Sequence, residues 1–320
     1  MNRPPEQFVR LPHQLLRDFT FQALLSVGME EEQAGLLSDL LVTNDLRGVF
    51  SHGTRLTIHY VRQMKRGEIN PRPTIRIVSE TRTTLRLDGD GGLGYFPAYQ
   101  AAEWVAERTR QEGVAAAVTG HHGHIGAAGI YARIPLRYHL MTFVTSGHQL
   151  RLEPGGPLLA AAGGSPIAFA VPALYRPPIV VDFAVTGELS EAIYQMAPGI
   201  FFRSLGLGAI CQTVGGFLSG LPARPSGSLS RFAGATQGAF IMSVDPSRFL
   251  PMEQFLSTVD DYLQQVDQLK PMPGFEKAYL AGGIEWEREQ RWRQEGIPIG
   301  PEHLSSLKDL ARETSTRPPF

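Results

Sequence analysis

The chain has 320 residues, and its 30 basic and 31 acidic side chains give a formal net charge of −1. A nearly neutral chain lacks the basic field that sequence-independent nucleic-acid binding requires. The single cysteine, Cys211, excludes an intrachain disulfide and a cysteine-rich metal site. The 42% hydrophobic and 19% charged residues are typical of a compact globular protein, and the length favours two or three lobes over one simple domain.

The sequence predicts a soluble, cytoplasmic protein with no membrane partner. The first residues contain no apolar core of the kind found in signal peptides. Two uncharged runs, residues 157–175 and 205–223, are long enough to test as membrane spans. The first contains prolines and the second five glycines, so buried strands and a buried helix explain them better than lipid does.

The first part of the chain is predicted to be helical. An apolar face within residues 15–25 ends before Gly28, and residues 29–47 begin with three glutamates that complement a helix dipole. A third helix is predicted over residues 51–66, ending at Gly67.

The pattern then changes to alternating strands and helices, which is typical of an α/β protein. Residues 74–78 and 83–87 are predicted to form a hairpin, followed by a helix over 95–111. The later predictions are strands at 114–118, 140–144, 167–171, 179–183 and 239–244, and helices at 127–136, 204–219 and 252–269, before two polar helices. We divide the chain into an N-terminal helical region (1–70), a central α/β domain with the candidate pocket (71–245), and a C-terminal helical region (246–320) that packs with the first.

Three histidines lie within four positions, His121, His122 and His124, after a predicted buried strand and before a helix. Strand ends of this kind are where α/β folds place ligands. The imidazoles suit proton transfer near neutral pH, or metal binding. The metal interpretation is the weaker one, because no acidic residue is nearby in sequence, and we predict no metal. The alternative is a glycine-rich turn whose histidines form local hydrogen bonds.

Ser51 and His52 form a second candidate site. If the segment is helical, His52, Arg55 and His59 share one face, and Tyr60 lies close to it. A Ser-His step indicates a hydroxyl that orients an imidazole, although an ordinary N-cap explains it equally well.

Three common motifs are absent from the sequence. No G-x-S-x-G elbow supports a serine hydrolase, no G-x-G-x-x-G follows the first strand, and no G-x-x-x-x-G-K-[ST] loop is present. The sequence therefore does not predict a Rossmann domain.

Several segments, in order across nearly the whole chain, resemble the type-2 malate/L-lactate dehydrogenase family. The matching pieces are Arg47–Gly53 (RGVFSHG), Tyr60, Gly67–Ile69, Asp88-Gly89, Gly94, His124–Gly129 (HIGAAG), Pro166–Pro172 (PIAFAVP), Ile179–Ala184 (IVVDFA), Pro273-Gly274 and Gly296-Ile297.

The resemblance implies a non-Rossmann nicotinamide-binding α/β fold, with a helical N-terminal region and a mixed-sheet central domain. It also implies a homodimer and hydride transfer between NAD or NADP and a 2-oxo acid, carbonyl or cyclic imine. By resemblance, His52 handles the substrate proton and Ser51 orients it. The other implied site residues are Tyr60, His124 and His148 near the reaction, Arg55, His121 and His122 at the substrate, and Gly126, Asp182, Phe183, Ala184, Pro273 and Gly274 at the cofactor.

The chain departs from the family pattern at several of these positions. His121-His122 stands where the family has an Asn-Ser-containing run, and His148 stands at a family acidic residue. Leu205 aligns with a lysine that contacts the cofactor, and Arg203 lies two residues before it. A family segment of roughly forty residues is missing between Gly187 and Leu205.

These departures leave two functional hypotheses open. The first is a divergent NAD(P)H-dependent reductase. The second is a cofactor-independent acid/base enzyme, such as a lyase, isomerase or cyclase, or an inactive paralogue, because a lysine is lost from the diphosphate site and histidines are added.

Overall fold

The computed structural model describes residues 4–187, 189–223 and 231–320. The chain divides into two compact units: Met1–Pro73 with Gly282–Phe320, and Thr74–Ala281. The two terminal segments of the chain fall within one unit. The second boundary differs from the prediction at 245/246, because residues 246–281 belong to the central unit.

The regular elements of the described residues follow in chain order. The helices are α1 (His13–Leu25), α2 (Glu31–Leu46), α3 (Thr57–Lys65), α4 (Tyr95–Glu112), α5 (Ala128–Arg133), α6 (Glu191–Met196), α7 (Pro198–Cys211), α8 (Met252–Asp267), α9 (Gly283–Glu295) and α10 (Pro301–Thr314). The strands are β1 (Val9–Leu11), β2 (Arg76–Glu80), β3 (Thr84–Asp88), β4 (Val114–His122), β5 (Met141–His148), β6 (Pro166–Val171), β7 (Ile179–Ala184), β8 (Gln237–Val244) and β9 (Ile297–Ile299).

The N- and C-terminal unit is a helical body joined by a short antiparallel pair of strands, β1 and β9. The predicted apolar spacing of α2 holds, since Leu37, Leu40 and Leu41 are buried. Helix α2 packs on α9 and α3 packs on α10. This arrangement places the Ser51-His52 segment beside the start of α10.

The central unit contains a seven-stranded mixed sheet in the order β2-β3-β4-β8-β5-β6-β7. Strands β3 and β4 run parallel, and the other neighbours are antiparallel. The predicted hairpin of β2 and β3 and the predicted mixed-sheet fold are confirmed.

The two faces of this sheet differ in burial. Helices α4 and α5 cover one face, where the register row Ala117, Ile241, Val144 and Ala168 is almost completely buried. On the opposite face of the sheet, Phe143 of β5 pairs in register with Phe169 of β6. The Phe169 side chain is 47% exposed. Phe143 is half-buried and packs against the buried cluster of Ile167, Val185 and Cys211, so Phe169 is the exposed member of this pair.

The apolar helix predicted over 204–219 begins earlier, at Pro198, and continues from α7 into a π-helical turn, Gln212–Phe217. The prediction that it is buried is wrong, because only a third of it is buried. Its glycines allow one narrow contact: a Cβ on Gly215 would lie 2.5 Å from the Ser146 carbonyl carbon of β5. Among the described helices, it alone is long and apolar enough to cross a membrane by length and composition, which is weak evidence for a span.

Strand β4 continues to His122, four residues beyond its predicted end at Val118. The histidines predicted to lie in a loop are therefore partly in the sheet. His121 adopts a left-handed backbone conformation (φ 55°) at an irregularity in the β4–β8 pairing. That conformation is uncommon for residues other than glycine, and histidine is among the residue types that adopt it more often than most.

Candidate active site

Ser51 and His52 lie in a single 3₁₀ turn, Phe50–His52, that follows helix α2. The Ser51 Oγ is 2.9 Å from His52 Nδ1, so the hydroxyl holds the orientation of the ring. Asn44 of α2 donates from its side-chain nitrogen to the His52 carbonyl at 2.8 Å, which anchors the turn to the helix. The structure thus contains the hydroxyl–imidazole pair in a geometry suited to general acid/base chemistry.

The prediction of one helix over residues 51–66 is wrong. Gly53 is extended, with φ −93° and ψ −158°, and a second 3₁₀ turn, Thr54–Leu56, separates it from α3. His52 therefore does not share a helical face with Arg55 and His59. The Thr54 amide and hydroxyl bond to Asp45 rather than continuing a helix, and a Cβ on Gly53 would overlap this buried carboxylate.

A buried polar chain lies directly behind this turn. The Thr54 amide and hydroxyl both donate to Asp45 Oδ2, at 3.0 and 2.6 Å, and the Thr54 hydroxyl is 2.9 Å from His303 Nε2. Burial raises the pKa of Asp45 to about 7, against the lowering effect of the Thr54 bonds. Burial, helped by Arg55, lowers the pKa of His303 to about 4, so its ring is neutral at pH 7.

Neither Asp45 nor His303 was predicted as a site residue from the sequence. One signal was available for Asp45, because a carboxylate in the last turn of a helix opposes the helix dipole and needs a specific partner. His303 gives no such signal, since it lies in a helix that was predicted only as polar.

Tyr60 and Arg55, two further predicted site residues of this unit, differ in their exposure to solvent. Tyr60 is completely buried in α3. Arg55 is exposed and forms an ion pair with Glu302 at 3.1 Å. A carboxylate substrate that binds Arg55 must therefore compete with an existing partner.

In the central unit, His121 pairs with Asp88 at the end of β3. Its Nδ1 lies 3.2 Å from each carboxylate oxygen of Asp88, and both side chains are about one-third exposed. The pair lines a cleft of about 160 Å³ that also contains Arg86. His121 is thus accessible to a small polar ligand.

His122 is not where the sequence analysis placed it. It is completely buried, its Nε2 is 2.9 Å from the Thr119 hydroxyl, and its Nδ1 is 2.7 Å from the Gly123 carbonyl. Burial lowers the pKa of His122 to about 4, against the raising effect of backbone groups of Gly123 and Thr119. With both nitrogens bonded to its own strand and turn, His122 cannot contact a substrate, and its role is structural.

His124 and the segment after it are connected to Asp182 on β7. His124 is half-buried in the turn, and its carbonyl accepts from the Gly94 amide at 3.0 Å. The Asp182 carboxylate accepts from the Gly129 amide at 2.8 Å, at the start of α5. Gly126 has φ 75°, and a Cβ there would overlap the Tyr95 hydroxyl. The structure therefore ties Asp182 to the start of α5, directly after the segment that contains His124 and Gly126.

His148 is the last residue of β5 and lies at the same end of the strands as His122, the last residue of β4. Both residues pair in register with Gln237 of β8, one from each side. The Gln212 side chain donates to the His148 carbonyl at 2.7 Å and accepts from its amide at 3.1 Å. Burial lowers the pKa of the half-buried His148 ring. Since Gln212 begins the π-helical turn, and such turns often occur at functional sites, the turn positions His148.

The remaining cofactor candidates are on the surface. Phe183 and Ala184 are exposed on the edge strand β7. Pro273 and Gly274 are exposed in the loop before α9. Among the described residues, no three His, Cys, Asp or Glu side chains converge on a point that could hold a metal ion.

Comparison with known proteins finds matches to one family along nearly the whole chain. The family model described as malate/L-lactate dehydrogenase matches residues 11–198 and 187–308. A malate dehydrogenase of Pyrococcus abyssi is 25% identical over 357 aligned residues, covering 98% of this chain and 97% of the relative. An L-sulfolactate dehydrogenase of Methanocaldococcus jannaschii is 26% identical over 325 residues, covering 91% and 93%. The solved structure of malate dehydrogenase from Pyrococcus horikoshii OT3 has a TM-score of 0.85 at 23% identity, covering 99% of both chains.

The alignment also shows that this chain is shorter than its relatives within the matched region. The 357 aligned residues exceed the 320 of this chain, so at least 37 positions of the alignment have no residue here. The two matches of the family model meet at residues 187–198. Helix α6 lies within this stretch and α7 begins at its last residue, Pro198, inside the interval 187–205 where the sequence predicts the missing family segment.

Proposed function

Because the chain belongs to the malate/L-lactate dehydrogenase family, we propose that it is a nicotinamide-dependent reductase that acts on a 2-oxo acid or a cyclic imine. The named relatives are malate and L-sulfolactate dehydrogenases, which act on 2-hydroxy acids. The proposal places the enzyme in the cytoplasm.

The observation that carries the proposal is the Ser51–His52 pair. The 2.9 Å contact between the Ser51 hydroxyl and His52 Nδ1 orients the imidazole that delivers or accepts the proton of the substrate oxygen or nitrogen. The hydrogen bond from Asn44 anchors the backbone of the turn, and the Ser51 hydroxyl orients the ring. An imidazole serves this purpose near pH 7 without further activation.

The residues of β7 and the turn after β4 fit a nicotinamide cofactor in two respects. Asp182, Phe183 and Ala184 lie on an exposed edge strand, and Asp182 is tied to the backbone of the His124–Gly129 segment. The exposed Arg203 of α7 offers a positive charge for a diphosphate. A bound nicotinamide cofactor would supply the hydride, and Asp182, Phe183, Ala184 and Arg203 would hold the cofactor.

One observation favours the second candidate, a cofactor-independent acid/base enzyme. Leu205, which stands at the position of the family lysine, is buried in α7 and offers no charge. The accessible Asp88–His121 pair is a ready proton donor and acceptor in that case.

Titration of the purified full chain with NADH and with NADPH, followed by cofactor fluorescence, separates the two candidates. The reductase proposal predicts saturable binding of one or both cofactors. The absence of binding at millimolar concentration would contradict it and favour the acid/base enzyme.

A variant then tests the role of His52. With bound cofactor and a panel of 2-oxo acids, His52→Ala should lower kcat by a factor on the order of 10² to 10⁴ while cofactor affinity is retained. His59→Ala is the matched control, because His59 is exposed on the adjacent helix α3. Equal losses of kcat and affinity in His52→Ala would argue against the acid/base role.

We also propose that the working form is a homodimer. Phe169, on the sheet face opposite α4 and α5, and Ile210 of α7 expose apolar side chains to solvent. Burying such side chains against another protein surface is favourable. A second copy of the chain supplies one that is self-complementary. Sedimentation should give twice the chain mass of 35.2 kDa for the wild type.

Substitutions on this surface test the dimer. Phe169→Glu and Ile210→Glu should each shift the protein towards a monomer. Leu158→Glu, at an equally exposed leucine outside the sheet face and α7, should leave the dimer intact. A monomeric wild type, or binding of the monomer to lipid vesicles, would overturn the proposal.

A further inference from the structure

The segment that carries His52 leaves helix α2 and is fastened back onto the last turn of that helix. The Asn44 carbonyl accepts from the Val49 amide at 2.8 Å, and the Asn44 side chain donates to the His52 carbonyl at 2.8 Å. These two bonds fix the backbone before His52 and at its own carbonyl. The backbone after His52 is fixed by the next residue of the helix, Asp45.

Asp45 holds Thr54 through two hydrogen bonds to one carboxylate oxygen. The amide and the hydroxyl of Thr54 both donate to Oδ2, at 3.0 and 2.6 Å. The other oxygen, Oδ1, lies so close to the backbone of Gly53 that a Cβ there would be 1.7 Å from it. The Thr54 oxygen is also 2.9 Å from His303 Nε2, so helix α10 contacts the same hydroxyl. The chain is therefore held on both sides of Gly53, at His52 and at Thr54.

The burial of Asp45 excludes a direct part in a reaction. Its side chain is completely enclosed, and its Oδ1 has no hydrogen-bond partner among the described residues. A buried carboxyl group with an unsatisfied oxygen lowers the stability of a fold. Because the group cannot touch a substrate, any effect that it has on the reaction must be transmitted through Thr54 and the turn.

We propose that Asp45 is a positioning residue for the proton transfer of His52, which it controls by fixing the backbone at Thr54, two residues further along the chain. This role rests on the proposed function, in which the His52 imidazole exchanges a proton with the substrate. Ser51 orients the ring, and Asp45 sets the position of the backbone that follows it. A displacement of about 1 Å in a reacting group can lower a rate about 100-fold, so the bonds to Thr54 have a large effect on turnover.

NMR spectroscopy of the full chain, with isotope labels in its nine histidine rings, reports the environment of the His52 ring without any substrate. The His52 signal is the one that His52→Ala removes. Asp45→Leu should shift or broaden this signal, because Thr54 loses its acceptor. Asp45→Asn should return the signal close to its wild-type position, because the amide oxygen still accepts from Thr54. Asp39→Leu, at an exposed acidic position of α2, is the matched control and should leave the signal unchanged.

Steady-state kinetics with cofactor and a panel of 2-oxo acids then connects the position of the ring to the reaction. Asp45→Leu should lower kcat about 100-fold with little change in KM, because the ring and not the substrate is displaced. Asp45→Asn should regain at least about tenfold of this loss through the restored hydrogen bonds. Asp39→Leu should retain the wild-type kcat.

Thr54→Val provides the test if Asp45→Leu does not fold. It keeps the branched shape and the amide of Thr54 but removes the hydroxyl bond to Asp45. It should therefore shift the His52 signal and lower kcat about tenfold, the effect of one hydrogen bond. An unchanged His122 signal shows that the central unit retains its fold in each variant.

Three results would overturn the positioning role of Asp45. The first is an unshifted His52 signal in Asp45→Leu or, where that variant does not fold, in Thr54→Val. The second is an equal shift in Asp45→Asn and Asp45→Leu, which would assign the effect to charge. The third is a retained kcat in Asp45→Leu when His52→Ala loses it. A retained kcat in His52→Ala would instead contradict the proposed function, and the NMR comparison would still decide whether Asp45 positions the ring.

Discussion

Because His122 is buried, we expect the free energy of unfolding to fall at acidic pH. Its pKa is lowered from 6.5 to about 4, first because burial removes the hydration of the charged ring. Between these two pKa values the unfolded chain binds the proton and the folded chain does not. Stability is therefore fully present above pH 6.5 and falls as the pH drops towards 4, with a loss of about 2.5 kcal/mol at pH 4.5 from this residue alone.

Urea unfolding at pH 7 and at pH 4.5, followed by far-UV circular dichroism, measures this effect. His122→Asn should be less stable than the wild type at pH 7, because the Thr119 and Gly123 bonds change. It should lose about 2.5 kcal/mol less than the wild type on acidification. His59→Gln, at an exposed position, should behave like the wild type. If the wild type and His122→Asn lose the same stability in acid, the assignment of His122 as a buried neutral ring is refuted.

Three further substitutions test the candidate site. Gly53→Ala should cost at least about 3 kcal/mol of unfolding free energy, because its Cβ overlaps the buried Asp45 carboxylate, whereas Gly206→Ala in the open part of α7 should be neutral or stabilising by up to about 1 kcal/mol. The pKa of Asp45 is raised from 3.8 to about 7, so the wild type loses stability as the pH rises through this range. Asp45→Asn should remove about 4 kcal/mol of this pH dependence. If urea titrations give the same pH profile for the variant and the wild type, the raised pKa of Asp45 is contradicted. Asp182→Ala should cost about 1 kcal/mol through the lost Gly129 bond and weaken NAD(P)H binding in fluorescence titrations, and unchanged affinity would remove Asp182 from the cofactor site.

Local sequence patterns were sufficient where a segment depends mainly on its own residues. The alternation of residues 74–78 and 83–87 predicted the β2–β3 hairpin, and the apolar spacing in α2 matched its buried face. Both patterns report which side of an element is buried, and this periodicity is local.

The same patterns failed where distant residues decide the outcome. His121 extends β4 in a left-handed conformation, and its ring is held by Asp88, 33 positions earlier in the chain. The apolar helix from Pro198 to Phe217 is only one-third buried, although its π-helical turn packs closely on β5 at Gly215. Composition could not show which side of that helix meets the sheet.

The sequence by itself determined the family, the α/β class and the Ser51–His52 pair, because each rests on residues that are close together or recur in a fixed order. Only the tertiary structure decided that His122 is enclosed while His121 is accessible, although the two are adjacent. It alone joined Asp45 to His303 through Thr54. Burial and hydrogen-bond partners shift a pKa and open or close a site, and both depend on residues that folding brings together from distant parts of the chain.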